Sequence, residues 1–186
     1  ATHGKPSDDN SHPHTDCTGH YAVVHNGIIE NYMELKEELL EAGHEFTSET
    51  DTEVIPHLIE ECSEGDLLPA VQRAVQRLKG SFALGVVSTE QPDQLIAVRK
   101  DSPLIVGLGE DENFIASDIP AVMEHTRDVY ILDDGEMAVV STGDVEVYDM
   151  DGGRISKELF RVPWDPAQAE KGGYEHFMLK EIFEQP

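Results

Sequence analysis

Hydrophobic residues recur along the chain in two rhythms, and the change of rhythm divides it. Up to residue 20, Gly, Pro, Ser, Asp and His follow one another without period, the pattern of a loop. The apolar run from Tyr21 to His25 predicts a strand. The spacing then turns helical. Tyr32, Leu35 and Leu39 recur at i, i+3 and i+7, Asn31-x-x-Glu34 has the form of a capping box, and Gly43 stops the segment. Glu45 to Ser48 reads as short and extended. A second helix follows "ETDTE", with Ile55, Leu58, Ile59 and Cys62 on one face. Pro56 must sit in its first turn, because proline has no N–H to give an interior turn. A third helix is predicted from Asp66 to Lys79, striped by Val71, Ala74, Val75 and Leu78 and ended by Gly80.

From Phe82 onward, alternation and short continuous apolar runs replace the helical spacing. Strands are predicted at Phe82–Ser88, Leu95–Arg99, Leu104–Leu108, Asn113–Ala116, Val129–Leu132, Met137–Ser141 and Val145–Tyr148. Gly109 to Glu112 and Thr142-Gly143-Asp144 read as hairpin turns. So does Asp149-Met150-Asp151-Gly152, which imitates the start of a calcium loop without its later ligands. Asp118 is expected to cap a short helix ending near Glu124, the stretch from Arg161 to Gly173 to be irregular, and a last helix to run through Phe177-Met178-Leu179. Helices followed by an antiparallel meander, without an internal repeat, give an α+β class rather than an alternating doubly wound fold.

Composition narrows the function. A length of 186 residues and a hydrophobic fraction of 39% suffice for one domain with a core. No apolar run approaches the roughly 18 residues of a membrane span, and no secretory signal pattern is read. The net charge is −25, from 38 acidic against 13 basic residues spread along the chain. Such a surface repels nucleic acid and anionic membranes, so neither is expected as a partner. An acidic skin of this kind fits a folded, halophilic protein working at high salt. Cys17 and Cys62 form neither a metal-type spacing nor a disulfide framework, which points to a reducing, cytoplasmic setting. The start at Ala1-Thr2-His3-Gly4 and the stop at Glu184-Gln185-Pro186 lead us to expect a piece of a longer polypeptide.

Three polar stretches at element ends are candidates for chemistry: "ATHGKPS", "HNG" and "SETDTE". Asn26-Gly27 is either a tight turn or an oxyanion hole, in which an amide side chain and a backbone N–H converge on developing negative charge. Asp51 is either a solvated acid at a helix start or a carboxylate for a substrate ammonium, with Thr50 and Thr52 free to cap the helix. His12-Pro13-His14, with His3, His20 and His25, lacks the spacing of a zinc motif, and no metal site is expected. Cys62 reads as a buried, inert thiol. Cys17 lies in a polar loop with histidines nearby, and nothing marks it as a nucleophile.

The stretches "ATHG", "NSHPH", "VVHNGIIENY", "SETDTEVIPHLI", "SPLIVGLGEDENFIASD" and "EIFEQP" together resemble one family over nearly the whole chain. This is the glutaminase domain of the isomerising glutamine–fructose-6-phosphate aminotransferases, within the N-terminal-nucleophile, class II amidotransferases. The resemblance implies a four-layer α-β-β-α sandwich, truncated here at its N-terminus, with an interdomain linker starting near residues 184–186. It implies hydrolysis of glutamine to glutamate and ammonia, which a downstream sugar-phosphate isomerase domain adds to fructose 6-phosphate to make glucosamine 6-phosphate. It implies no cofactor, and a homodimer of the full-length protein. Asn26 and Gly27 match the family's oxyanion-hole pair, Asp51 the acid that binds the glutamine ammonium, and Thr2 and His3 the loop that closes over glutamine. The family's nucleophile is a cysteine at the mature N-terminus, whose α-amino group, titrating near pH 7.7–8.0, serves as base. That cysteine, and the Arg-Trp pair that usually precedes "ATHG", are not among these residues, so the chain alone is expected to be inactive. Two other readings stay open. One is a nucleophile-less glutamine-binding or regulatory domain. The other is the glutaminase domain of another amidotransferase, such as amidophosphoribosyltransferase.

Overall fold

The computed structural model describes residues 4–163 and 176–184. Strands β1 (His14–Thr15) and β2 (Tyr21–Ile29) lead into helices α1 (Tyr32–Ala42), α2 (Val54–Cys62) and α3 (Leu67–Arg77). A meander follows: β3 (Gly80–Ser88), β4 (Leu95–Lys100), β5 (Ile105–Leu108), β6 (Asn113–Ala116), β7 (Asp128–Ile131), β8 (Glu136–Val140), β9 (Val145–Asp149), β10 (Arg154–Ile155) and β11 (Phe160–Arg161). Helix α4 spans Phe177–Glu184. The strands build a seven-stranded sheet in the order β1-β2-β3-β4-β8-β9-β10 and a four-stranded sheet in the order β11-β7-β5-β6. The class is α+β, as the patterning predicts.

Period-two alternation sorts side chains into layers. On the large sheet, Phe82, Leu84, Val86, Ile96, Val98 and Met137 point one way and pack with Leu35, Leu39, Ile55, Leu58, Ile59, Val71 and Val75 of the three helices. Their neighbours Ala83, Ala97, Ala138 and Val140 point the other way and meet Leu104, Val106 and Leu132 of the small-sheet region. A third cluster, Ile105, Val122, Met123, Val129 and Val162, covers the outer face of the small sheet. Each fully buried Leu, Ile or Phe contributes roughly 1.5–3 kcal/mol through the water it sheds.

The outermost layer is where pattern and structure part. Asp118 Oδ1 accepts the Ala121 N–H at 3.2 Å, but the chain bends at 118–119 and runs as turns over 120–125 rather than as the expected helix. So short a segment, with Pro120 supplying no N–H, makes too few i→i−4 bonds to offset nucleation. The expected capping box of α1 is also not formed. Asn31 instead ties the end of α3 to the start of β3, donating to Arg77 O at 3.0 Å and accepting the Lys79 N–H at 2.9 Å. Gly80 opens β3 rather than ending α3, and Arg161 pairs with Asp128 in a strand where irregular chain is expected. Residues 164–173 of that irregular stretch lie outside the described residues, as does the expected linker start beyond Glu184.

Candidate functional site

The strand expected to stop at His25 runs on to Ile29, so Asn26-Gly27 is neither a hairpin turn nor a strand end. The pair lies inside the ladder, Asn26 opposite Ala83 and Gly27 opposite Phe82. Gly27 makes this possible. Its φ is +144°, and a Cβ there would stand 2.0 Å from Ser81 O. Only glycine fits so close an approach of two strands at that φ. Glu30 N–H donates to Lys79 O beyond the pair Ile29–Gly80, so the even residues of β2 bond β3 and the odd ones turn N–H to the other edge. On that edge the Ile29 N–H donates to Asp51 Oδ2 at 2.8 Å. By the same alternation, Gly27 presents its N–H to the edge that carries Asp51.

Asn26 is exposed, on the face of β2 turned toward the small sheet. It lines an open cavity of about 330 Å³ with His12, Val24, His25, Gly85, Leu104, Ile115 and Ser117, among others. A larger depression of about 760 Å³, lined by charged groups such as Glu110, Arg127 and Arg161, touches neither "HNG" nor "SETDTE". Its size carries no chemistry.

Asp51 is buried, at 3% exposure, rather than a solvated helix-start acid. A web of short hydrogen bonds shapes the loop that holds it. Glu53 accepts the N–H of Thr47 and of Ser48, each at 2.7 Å, and both hydroxyls, at 2.9 and 2.6 Å. Burial pushes the Glu53 pKa up, but His57 and these bonds outweigh it and hold the carboxyl well below the usual range. The threonines do not cap α2. Thr50 Oγ1 pairs with His14 Nε2 at 3.2 Å, and Thr52 Oγ1 with His25 Nδ1 at 2.9 Å. Asn10 binds the loop from the other side, accepting the Glu49 N–H at 2.9 Å and donating to Lys5 O at 2.8 Å.

His14 of "HPH" and His25 of "HNG" are thus braces of the Asp51 loop. Burial lowers the pKa of His12 and His14, and lowers that of His25 to about 4, against the pull of Asp51. All three stay neutral at neutral pH and act as hydrogen-bonding groups rather than charges. Thr2 and His3 lie outside the described residues. Cys62 sits half-buried on α2, where burial pushes its thiol up, as expected of an inert cysteine. Asn10 and Glu53 escape sequence reading because their partners lie across loops without period. The repeated hydroxyls of "TSETDT", read as helix caps, are the sequence signal such a web offers.

The two packed sheets and the helical cover define an α+β sandwich, with Gly27 on one edge of β2 and the Asp51 carboxylate bonded to that edge. Glutamine phosphoribosylpyrophosphate (PRPP) amidotransferase from B. subtilis, complexed with ADP and GMP, has a similar fold, with a TM-score of 0.67 over 77% of this chain and 32% of that one. At 24% identity this likeness speaks for the fold alone. A family model described as a glutamine amidotransferase domain matches residues 4–124, and the chain belongs to that family. Over all 186 residues the chain is 60% identical to a protein of Clostridium tetani (strain Massachusetts / E88) named glutamine–fructose-6-phosphate aminotransferase [isomerizing]. It is 59% identical to the protein of that name from Aquifex aeolicus (strain VF5). The chain spans 31% of the length of each of these relatives.

Proposed function

We propose that this chain is the glutamine-hydrolysing part of an aminotransferase that delivers ammonia to fructose 6-phosphate and forms glucosamine 6-phosphate. The observation that carries the reading is the 60% identity, unbroken in coverage along the chain, to a relative so named. In this reading a thiolate attacks the glutamine side-chain amide. The Asn26 side-chain N–H and the Gly27 N–H hold the oxygen as it becomes negative, at a place where losing one donor costs about 10²–10³ in rate. Asp51 pairs with the α-ammonium of glutamine, and Thr2 and His3 close over the substrate. The nucleophile is a cysteine at the mature N-terminus of the parent protein. Its free α-amine takes the thiol proton and returns it to the leaving ammonia, and water then cleaves the thioester. A downstream sugar-phosphate isomerase domain, a homodimeric parent and a cytoplasmic setting belong to the same proposal. Two free cysteines accord with that setting, and no helix among the described residues is long and apolar enough to cross a membrane.

The test is to supply the parent protein with glutamine labelled at the amide nitrogen, together with fructose 6-phosphate. The label is expected in glucosamine 6-phosphate. Label found only in free ammonia contradicts the assigned acceptor. Failure to release glutamate at all contradicts the glutaminase and favours a domain that only binds the amino acid.

A further inference from the structure

Four ligand-type side chains that glutamine hydrolysis leaves unused meet around the middle of α2. Cys17 Sγ lies 3.4 Å from His57 Nδ1 and 3.6 Å from His44 Nδ1. Glu60 Oε2 lies 3.2 Å from His44 Nδ1 and 3.8 Å from His57 Nδ1. All four atoms fall within 4.8 Å of one another. A tetrahedral Zn²⁺ holds sulfur at about 2.3 Å and nitrogen or oxygen at about 2.0–2.2 Å, which separates neighbouring ligands by roughly 3.3–3.6 Å. The four measured separations scatter about that edge length.

We propose that Cys17, His44, His57 and Glu60 bind a zinc-type divalent cation. The donor set is one thiolate, two imidazoles and one carboxylate. Its two negative charges balance a divalent ion, and its softness suits zinc rather than magnesium or calcium, which take oxygen ligands. The surroundings are those of a built site. His44 turns its other nitrogen, Nε2, to Glu61 Oε2 at 3.3 Å, while His57 Nε2 faces Glu53 Oε1 at 3.9 Å, beyond hydrogen-bond reach. The Glu61 contact keeps the His44 proton on Nε2 and leaves its Nδ1 lone pair for the metal. The Glu45 N–H donates to Cys17 Sγ at 3.3 Å, and the Cys17 N–H to Glu60 Oε2 at 3.3 Å, so the sulfur and the carboxylate are both oriented. His44 and His57 are buried while Cys17 is exposed, which gives the ion an entry path.

With all four positions taken by protein, the site is structural. It ties the loop before β2 and the turn after α1 to α2, the helix that starts three residues after Asp51. It stands apart from the glutamine reading and holds or fails independently of it.

The experiment uses the parent protein that carries this chain and cobalt(II) as a spectroscopic substitute for zinc. Cobalt is expected to give the visible bands of a tetrahedral site and a near-ultraviolet thiolate-to-metal band, both abolished by zinc. Zinc is expected to raise the melting temperature, and a chelator to lower it again. Cys17→Ser, at an exposed position that leaves the fold intact by circular dichroism, loses the thiolate band and the zinc-dependent melting shift. Glu61→Gln retains the band but weakens zinc binding about 10- to 100-fold. A folded wild-type protein that shows no thiolate band overturns the proposal. So does a Cys17→Ser variant whose zinc-dependent melting shift matches wild type.

Discussion

Replacing Gly27 by alanine tests the central strand pair with a perturbation of one methyl group. The added Cβ would lie 2.0 Å from Ser81 O, 2.8 Å from Ser81 C and 2.9 Å from Phe82 Cα. These are backbone atoms of β3, which retreat only if the ladder opens. Holding a non-glycine residue at φ +144° adds strain of about 1–3 kcal/mol, and overpacking adds about 1–3 kcal/mol. A loss near 4 kcal/mol is a large part of the roughly 5–15 kcal/mol that holds a domain together. With a urea slope of about 2 kcal/mol per molar, the unfolding midpoint drops by about 2 M. Urea unfolding followed by far-ultraviolet circular dichroism measures it. The exposed neighbour provides the control: Asn26→Ala should stay within about 0.5 kcal/mol of wild type. A Gly27→Ala protein within about 1 kcal/mol of wild type would refute both the close approach of β2 to β3 and the conformation of Gly27.

Two further predictions concern solution conditions. His25 is neutral in the folded protein, with its pKa lowered by burial from 6.5 to about 4, so the unfolded chain binds the extra proton between those values. Stability from this group is therefore complete above pH 6.5 and is lost as the pH falls toward 4, by at most about 3 kcal/mol. Urea midpoints at pH 4.5 and 7 should differ less in His25→Gln than in wild type, and an unchanged difference would count against it. The net charge of −25 predicts that 1 M potassium chloride, which shortens the screening length to about 3 Å, raises the midpoint at pH 7. A midpoint that falls instead would contradict net self-repulsion.

The helices and most strands were legible because their signal is local. Leu35 and Leu39, or Val71 and Val75, mark a buried stripe from spacing alone, and both pairs are buried. What stayed hidden depends on residues far away in sequence. The strand through Asn26-Gly27 continues because β3, more than fifty residues on, pairs with it. Asn31 serves Arg77 and Lys79 rather than its own helix, since those partners offer the same hydrogen bonds. Asp51 was legible as a candidate, but its burial follows from the bonds of Glu53, Thr50 and Thr52 around it. The Cys17 cluster draws ligands from three segments, of which only His57 and Glu60 share a helical spacing, so a search for metal-ligand intervals along the chain passes over it.

The claim that Asn26 stabilises the oxyanion is tested most directly by the rate of glutamate release from the parent protein carrying Asn26→Ala. Because this side chain is exposed and stands apart from the core, the variant should fold as wild type does. Loss of an oxyanion donor lowers that rate by about 10²–10³. A correctly folded variant that releases glutamate at the wild-type rate would contradict the claim.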